Sequence, residues 1–191
     1  MDSYCDGKLL VSPPGMRDKR FEKTVIYIWK HDISGASGVI INKPLPLNFS
    51  KICKDSNVLK TTKAEPSMYY GGPTLENCVG TLHTNDVIVS SSNVNEDNDI
   101  IFTLDRRLIE KIAVGTGPSN FLITMGMAQW SPQQLETELE ALPPRKKSES
   151  WLVLNSDPEL IWNSNHPNFW NSCLNMAVAQ SSREFTSNFF R

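Results

Sequence analysis

Apolar positions in this chain gather in short runs rich in β-branched and aromatic residues, the pattern of strands rather than of long amphipathic helices. Lys8–Val11 and residues 24–29 and 38–41 predict three strands near the N-terminus. Gly35 and Gly38 bracket a tight connection, while Pro13, Pro14 and Gly15 break the chain after the first strand. Met16, Arg17, Asp18 and Phe21 are therefore expected in a loop or short turn. Further strands are predicted at Met68–Tyr70, 79–83, 87–90, Ile100–Thr103, 121–125 and 151–154.

Helical spacing is confined to a few segments. A short helix is expected over 48–55, with Phe49, Ile52 and Cys53 inward. Leu108, Ile109 and Ile112 recur at helical spacing between an N-capping Asp105 and a terminating Gly115. Ser131-Pro132-Gln133-Gln134 supplies a serine cap, proline at the first helical position and a capping-box glutamine, with Leu135, Leu139 and Leu142 on one face and Pro143-Pro144 closing the helix. Asp157-Pro158 starts a short helix and His166-Pro167 a longer one, whose apolar face carries Phe169, Trp170, Cys173, Leu174, Ala177 and Val178. Strands outnumber helices without alternating with them, which favours an α+β fold over a doubly wound parallel sheet.

The 191 residues suffice for one well-buried core, and no stretch resembles an interdomain linker. A single domain over 1–191 is expected, with 180–191 a tail whose Phe185, Phe189 and Phe190 dock on the domain or a partner. The net charge of −2 lacks the basic excess that draws many proteins to phosphates, so strong generic DNA binding is not expected. No signal-peptide pattern or bilayer-length apolar run appears, and a cytoplasmic, non-membrane protein is expected.

The ordered motifs carry more information than the composition. G-x-L-L-V-x-x-P from Gly7, M-x-D-x-x-F-x-x-T-V-I-Y from Met16 and H-x-x-x-G-A-x-G-x-I-I-N-K-P from His31 resemble the opening of the YqgE/AlgH family. Gly71-Gly72-Pro73, Leu82-His83, the G-x-G-P ending of residues 109–118 and Trp130 followed by Gln134-Leu135-Glu136 resemble its later blocks, in order, over roughly residues 7–162. Ser37 stands where that family often has Met, and residues 125–130 only approximate its L-G-Y-A-G-W. The resemblance implies an α+β fold in which a bifurcated, largely antiparallel or mixed sheet closes toward a pseudo-barrel with helices packed outside. It also implies a regulator with an influence on transcription, although no helix-turn-helix or basic recognition helix is readable here.

Catalytic signatures are sparse. The chain lacks G-x-S-x-G, the phosphate-binding G-x-x-x-x-G-K-[ST] and H-E-x-x-H, so no cofactor or metal is expected. Val114-Gly115-Thr116-Gly117-Pro118 follows a helix and lacks a third glycine, which favours a helix cap and turn over a dinucleotide site. Acidic residues in 91–99 read as a surface loop, since calcium loops require a glycine absent here. Cys5, Cys53, Cys78 and Cys173 are dispersed and read as reduced thiols, with packing outweighing reactivity even for Cys78.

His31 and His83 fall on family-like motifs at strand margins, where bonding to backbone groups is favoured over ligand binding. Asp18, Thr24 and Asn42 converge with them if the opening strands are neighbours, though each also suits a local structural role. Trp130 reads as core, and Gln134 with Glu138 as a solvated stripe. The leading expectation is a non-catalytic binding or regulatory protein for an unknown small ligand or protein partner, with Asp18, Thr24, His31, Asn42 and His83 as candidate binding residues. The alternative is an enzyme, such as a hydrolase, using His31 or His83 with Asp18 or a cysteine.

Overall fold

The structure is a computed structural model describing residues 4–89, 99–140 and 149–189. The end of the strand expected over 87–90, most of the acidic 91–99 loop, Leu142, the Pro143-Pro144 stop, the Arg145-Lys146-Lys147 run and Phe190 lie outside the described residues. The chain folds into two compact units, residues 1–38 with 129–191, and residues 39–128.

In the first unit, β1 (Lys8–Val11) lies between β2 (Val25–Asp32) and β9 (Leu152–Asn155), antiparallel to both. Leu9 pairs with Tyr27 on one side and Leu154 on the other, and all three side chains are buried. Continuous burial from Val25 to Ile28 explains why this strand reads as an unbroken apolar run rather than an alternating one. The segment Gly35–Ile40 forms β3, beside β2. Gly35 opens that strand at φ +117°, where an added Cβ would stand 2.2 Å from the Trp130 carbonyl oxygen. Glycine is required there by backbone conformation and close approach together.

Among the described residues this unit also holds α3 (Gln134–Glu140), α4 (Pro158–Trp162) and α5 (Phe169–Phe189). Asp157 caps α4 by accepting from the Glu159 N–H. Phe169, Cys173 and Ala177 are buried at successive helical turns of α5, whereas Val178 is exposed. The polar-aromatic tail from Gln180 is the continuation of this helix, and Phe185 is 70% exposed on it.

The second unit holds β4 (Pro44–Leu45), β5 (Met68–Tyr70), β6 (Thr74–Thr84), β7 (Ile100–Thr103) and most of β8 (Phe121–Trp130). β5 pairs antiparallel with β4 and parallel with β8; β6 pairs antiparallel with β7 and β8. This mixed pairing bears out the α+β class. The helices α1 (Phe49–Asp55) and α2 (Arg106–Val114) contribute Phe49, Cys53, Leu108, Ile109 and Ile112 to a core with Met68 and Ile123. Asn48 and Asp105 cap them, and Gly115 ends α2 in the left-handed conformation at φ +82°. The Thr116 N–H returns to the Lys111 carbonyl, so the G-x-G segment is a helix terminus.

Two strand expectations are corrected. β6 is a single long strand beginning at Thr74, not a short one at Val79, and residues 87–89 form no strand. Thr74 pairs with Met127 and Val79 with Met125, so a five-residue step on β6 spans a two-residue step on β8. The intervening bulge places Leu75 to Cys78 in the open, which hides the strand period from the sequence.

Candidate functional site

Asp18 and Thr24 meet through the chain between them rather than through a ligand. The Phe21 N–H donates to the Asp18 carbonyl, and the Thr24 hydroxyl donates to the Phe21 carbonyl at 2.8 Å. The Asp18 carboxylate accepts from the Arg20 N–H at 2.9 Å and clasps its guanidinium, at 2.7 Å for the closest contact. Thr24 is buried, and its N–H donates to Ser12 Oγ at 2.9 Å, an atom that also accepts from Trp170 Nε1. These bonds fix the β1–β2 connection beneath α5.

His31 is buried in β2 rather than beyond its end. Its Nδ1 accepts the Cys5 N–H at 2.9 Å, so the neutral ring carries its proton on Nε2. That nitrogen lies 3.3 Å from Glu136 Oε1 on α3, too poorly aligned for a hydrogen bond, and Tyr4 packs edge-on at 5.0 Å. The imidazole thereby ties the N-terminal segment to β2, beside α3. Asn42 is half-buried in the bend between β3 and β4.

His83 is fully buried in β6. Its Nδ1 donates to the Thr84 carbonyl at 2.8 Å, leaving Nε2 as a buried acceptor with no partner among the described residues. Burial pushes its pKa below the usual histidine value, which keeps the ring neutral. The neighbouring Asp86 is held at about 2 by the Ser119 and Thr84 hydroxyls.

On α3, Glu138 departs from the expected solvated stripe. It is buried, its Oε2 accepting from Trp130 Nε1 at 3.1 Å and Trp151 Nε1 at 2.8 Å while Oε1 accepts from Gln134 at 3.2 Å. The two indoles meet edge to face at 6.3 Å. Trp130 is core, as expected. The sequence signal was a tryptophan on each side of an acidic helix, since buried indoles need acceptors. Pro132 lies in a turn rather than at the first helical position, and the helix starts at Gln134, whose side chain accepts the Ser131 N–H at 3.0 Å.

One concavity lies in the second unit and was not anticipated. It has a volume of about 450 Å³, within the range of small-ligand sites. Its apolar wall comes from Ile52, Val58, Val79, Leu104 and Ile109; Ser56, Asn77, Cys78 and Arg106 supply the polar positions. The β6 bulge contributes Asn77 and Cys78, while α1 and α2 supply Ile52, Arg106 and Ile109. Arg106 Nε donates to Glu110 at 2.9 Å and Nη2 to the Asn57 carbonyl at 3.2 Å, which steadies the guanidinium at the pocket. Cys78 is exposed, whereas Cys5, Cys53 and Cys173 are buried. Burial raises all three of those thiols, Cys173 to about 12. Among the described residues no cluster of His, Cys, Asp or Glu could hold a metal ion.

Glycines interlock where β5 meets β8 in this unit. An added Cβ on Gly71 would lie 2.2 Å from the Gly126 oxygen, and one on Gly126 would lie 2.3 Å from the Gly72 oxygen. Gly72 and Gly126 adopt φ +146° and +76°. The Gly71 N–H donates to the Met125 carbonyl at 2.7 Å, and its carbonyl accepts from Ile40 at 2.9 Å. Side chains at these positions would drive β5 and β8 apart.

The sequence profile of the AlgH-like family matches residues 9–181, and the chain belongs to that family. It is 34% identical over 170 residues to a UPF0301 protein of Methylobacterium sp. (strain 4-46), covering 84% of this chain and 78% of the relative. With a UPF0301 protein of Nitrobacter hamburgensis it shares 33% identity over 169 residues, 84% of this chain and 75% of the relative. The solution structure of AlgH from Pseudomonas aeruginosa matches with a TM-score of 0.73 and 26% identity, covering 93% of this chain and 90% of that one. A crystal structure of a Corynebacterium diphtheriae protein shares the fold, with a TM-score of 0.65 at 21% identity over 90% and 86% of the two chains.

Proposed function

We propose that this AlgH-like protein is a non-catalytic, cytoplasmic binding protein whose ligand surface is the pocket formed by α1, α2 and the β6 bulge, and that any effect on transcription is indirect. The observation that carries this reading is the pocket: an apolar wall of aliphatic side chains meets a few polar groups, Arg106 among them held by two hydrogen bonds, the composition of a small-molecule site. The bonding of Asp18, Thr24 and His31 to neighbouring chain segments favours structural roles for these residues over proton transfer. Among the described residues no helix is long and apolar enough to cross a membrane.

The test is an isotope-labelled titration of the full chain with a panel of small amphipathic molecules. Binding should shift the amide signals of Ser56, Asn77, Val79 and Ile109, with the bound molecule recovered unchanged. Shifts confined to other regions, or conversion of the bound molecule, would overturn the reading.

A further inference from the structure

We propose that the ligand of this pocket is a medium-chain aliphatic carboxylate, an inference that rests on the pocket being a binding site at all. The hydrophobic wall consists of Ile52, Val58, Val79, Leu104 and Ile109, all aliphatic. It can exclude water from a hydrocarbon chain and presents no ring for an aromatic ligand to stack on.

Arg106 selects the head group. Its Nε–H donates to Glu110 and one Nη2–H to the Asn57 carbonyl, so among the described residues three of the five N–H donors of the guanidinium are left open to a ligand. Both existing bonds orient the planar group without filling it. A carboxylate is its geometric complement, since the two oxygens can take paired N–H donors. Glu110 partly offsets the Arg106 charge across the exposed i,i+4 pair, and a ligand carboxylate would share the guanidinium with it through the other N–H donors rather than displace it. Asn77 on the β6 bulge adds an amide to the polar lining of the pocket.

Cys78 lets the proposal be tested on the intact chain, because it is the exposed cysteine and it lines the pocket. The rate of its alkylation by iodoacetamide, a neutral reagent, would be followed by mass spectrometry during titration with octanoate, 1-octanol or octylamine. Octanoate should protect Cys78 with an apparent affinity about tenfold above that of 1-octanol, as a charge-assisted bond predicts, and octylamine should protect least. Arg106→Gln, on an exposed helix face, should bring octanoate down to the level of the alcohol. Leu104→Trp, which fills the pocket from a position already 46% exposed, should abolish protection by all three.

Equal protection by octanoate and 1-octanol would overturn the carboxylate assignment while leaving the pocket intact as a binding site. Retention of the octanoate preference in Arg106→Gln would overturn it as well. Protection by none of the probes would remove the carboxylate and argue against the pocket itself. Unfolding curves of both variants establish that they are folded, and should Leu104→Trp prove unfolded, the alcohol comparison and Arg106→Gln decide alone.

Discussion

Glu138 shows what one side chain can hold together. Its carboxylate is the acceptor for two buried indoles, and truncation would leave both N–H groups without that partner. Glu138→Ala should therefore destabilise the protein by about 3 kcal/mol or more, and Glu138→Gln, which retains an acceptor oxygen, by about 1 kcal/mol. Denaturant unfolding followed by tryptophan fluorescence measures both; equal losses would show that charge rather than acceptance matters. Leu139, expected on the buried face of the same helix, is only half-buried, so its truncation should cost less than that of Glu138. His83 makes a second residue-scale prediction, with its sign set by burial. Its native pKa lies below the unfolded value near 6.5, so the unfolded chain takes up the proton first as pH falls. The neutral ring's contribution to stability is fully present above pH 6.5 and declines as pH drops toward the native pKa. His83→Gln should flatten the pH dependence of stability in that window, and parallel curves for the two proteins would contradict the assignment.

At the scale of elements, glycine separates positions that need backbone freedom from positions that also need space. Gly115 and Gly126 both have positive φ, but a Cβ on Gly115 meets nothing within 4 Å, whereas one on Gly126 would collide with the Gly72 oxygen at 2.3 Å. Gly115→Ala should cost about 1 kcal/mol, while Gly126→Ala should exceed it by about 2 kcal/mol as overpacking adds to backbone strain. Thermal unfolding of the two variants checks the order, and a smaller loss for Gly126→Ala would refute the interlock. The same contrast explains what could be read in advance. α2 was legible because Asp105 and Gly115 announce its ends chemically, and α1 because Phe49, Ile52 and Cys53 recur at helical spacing. The strand β6 was truncated because its bulge exposes Leu75 to Cys78 and breaks the alternation of apolar positions. The buried role of Glu138 depends on Trp130 and Trp151, which no helical period can reveal. The pocket joins α1, α2 and the bulge across long stretches of sequence, so its lining residues share no single motif.

For the whole molecule, charge sets the terms of any encounter with nucleic acid. Nineteen Lys and Arg are outnumbered by twenty-one Asp and Glu, and several of those cations are engaged by carboxylates. Arg20 is paired with Asp18, Arg106 with Glu110, Arg107 with Asp105, and Lys60 with Glu65, whose pKa is held at about 2 by the Ser50 hydroxyl and Lys60. A cation already paired within the chain must break or share that contact to neutralise a phosphate, which weakens the counterion release that drives nonspecific DNA binding. The protein should therefore bind unrelated duplexes no more tightly than about 10 µM at physiological salt, with a shallow dependence of affinity on salt concentration. Fluorescence anisotropy with labelled duplexes over a salt series measures both quantities. Submicromolar binding with a steep salt slope would mean that these carboxylates leave a phosphate-binding face open, and it would replace an indirect effect on transcription with a direct one.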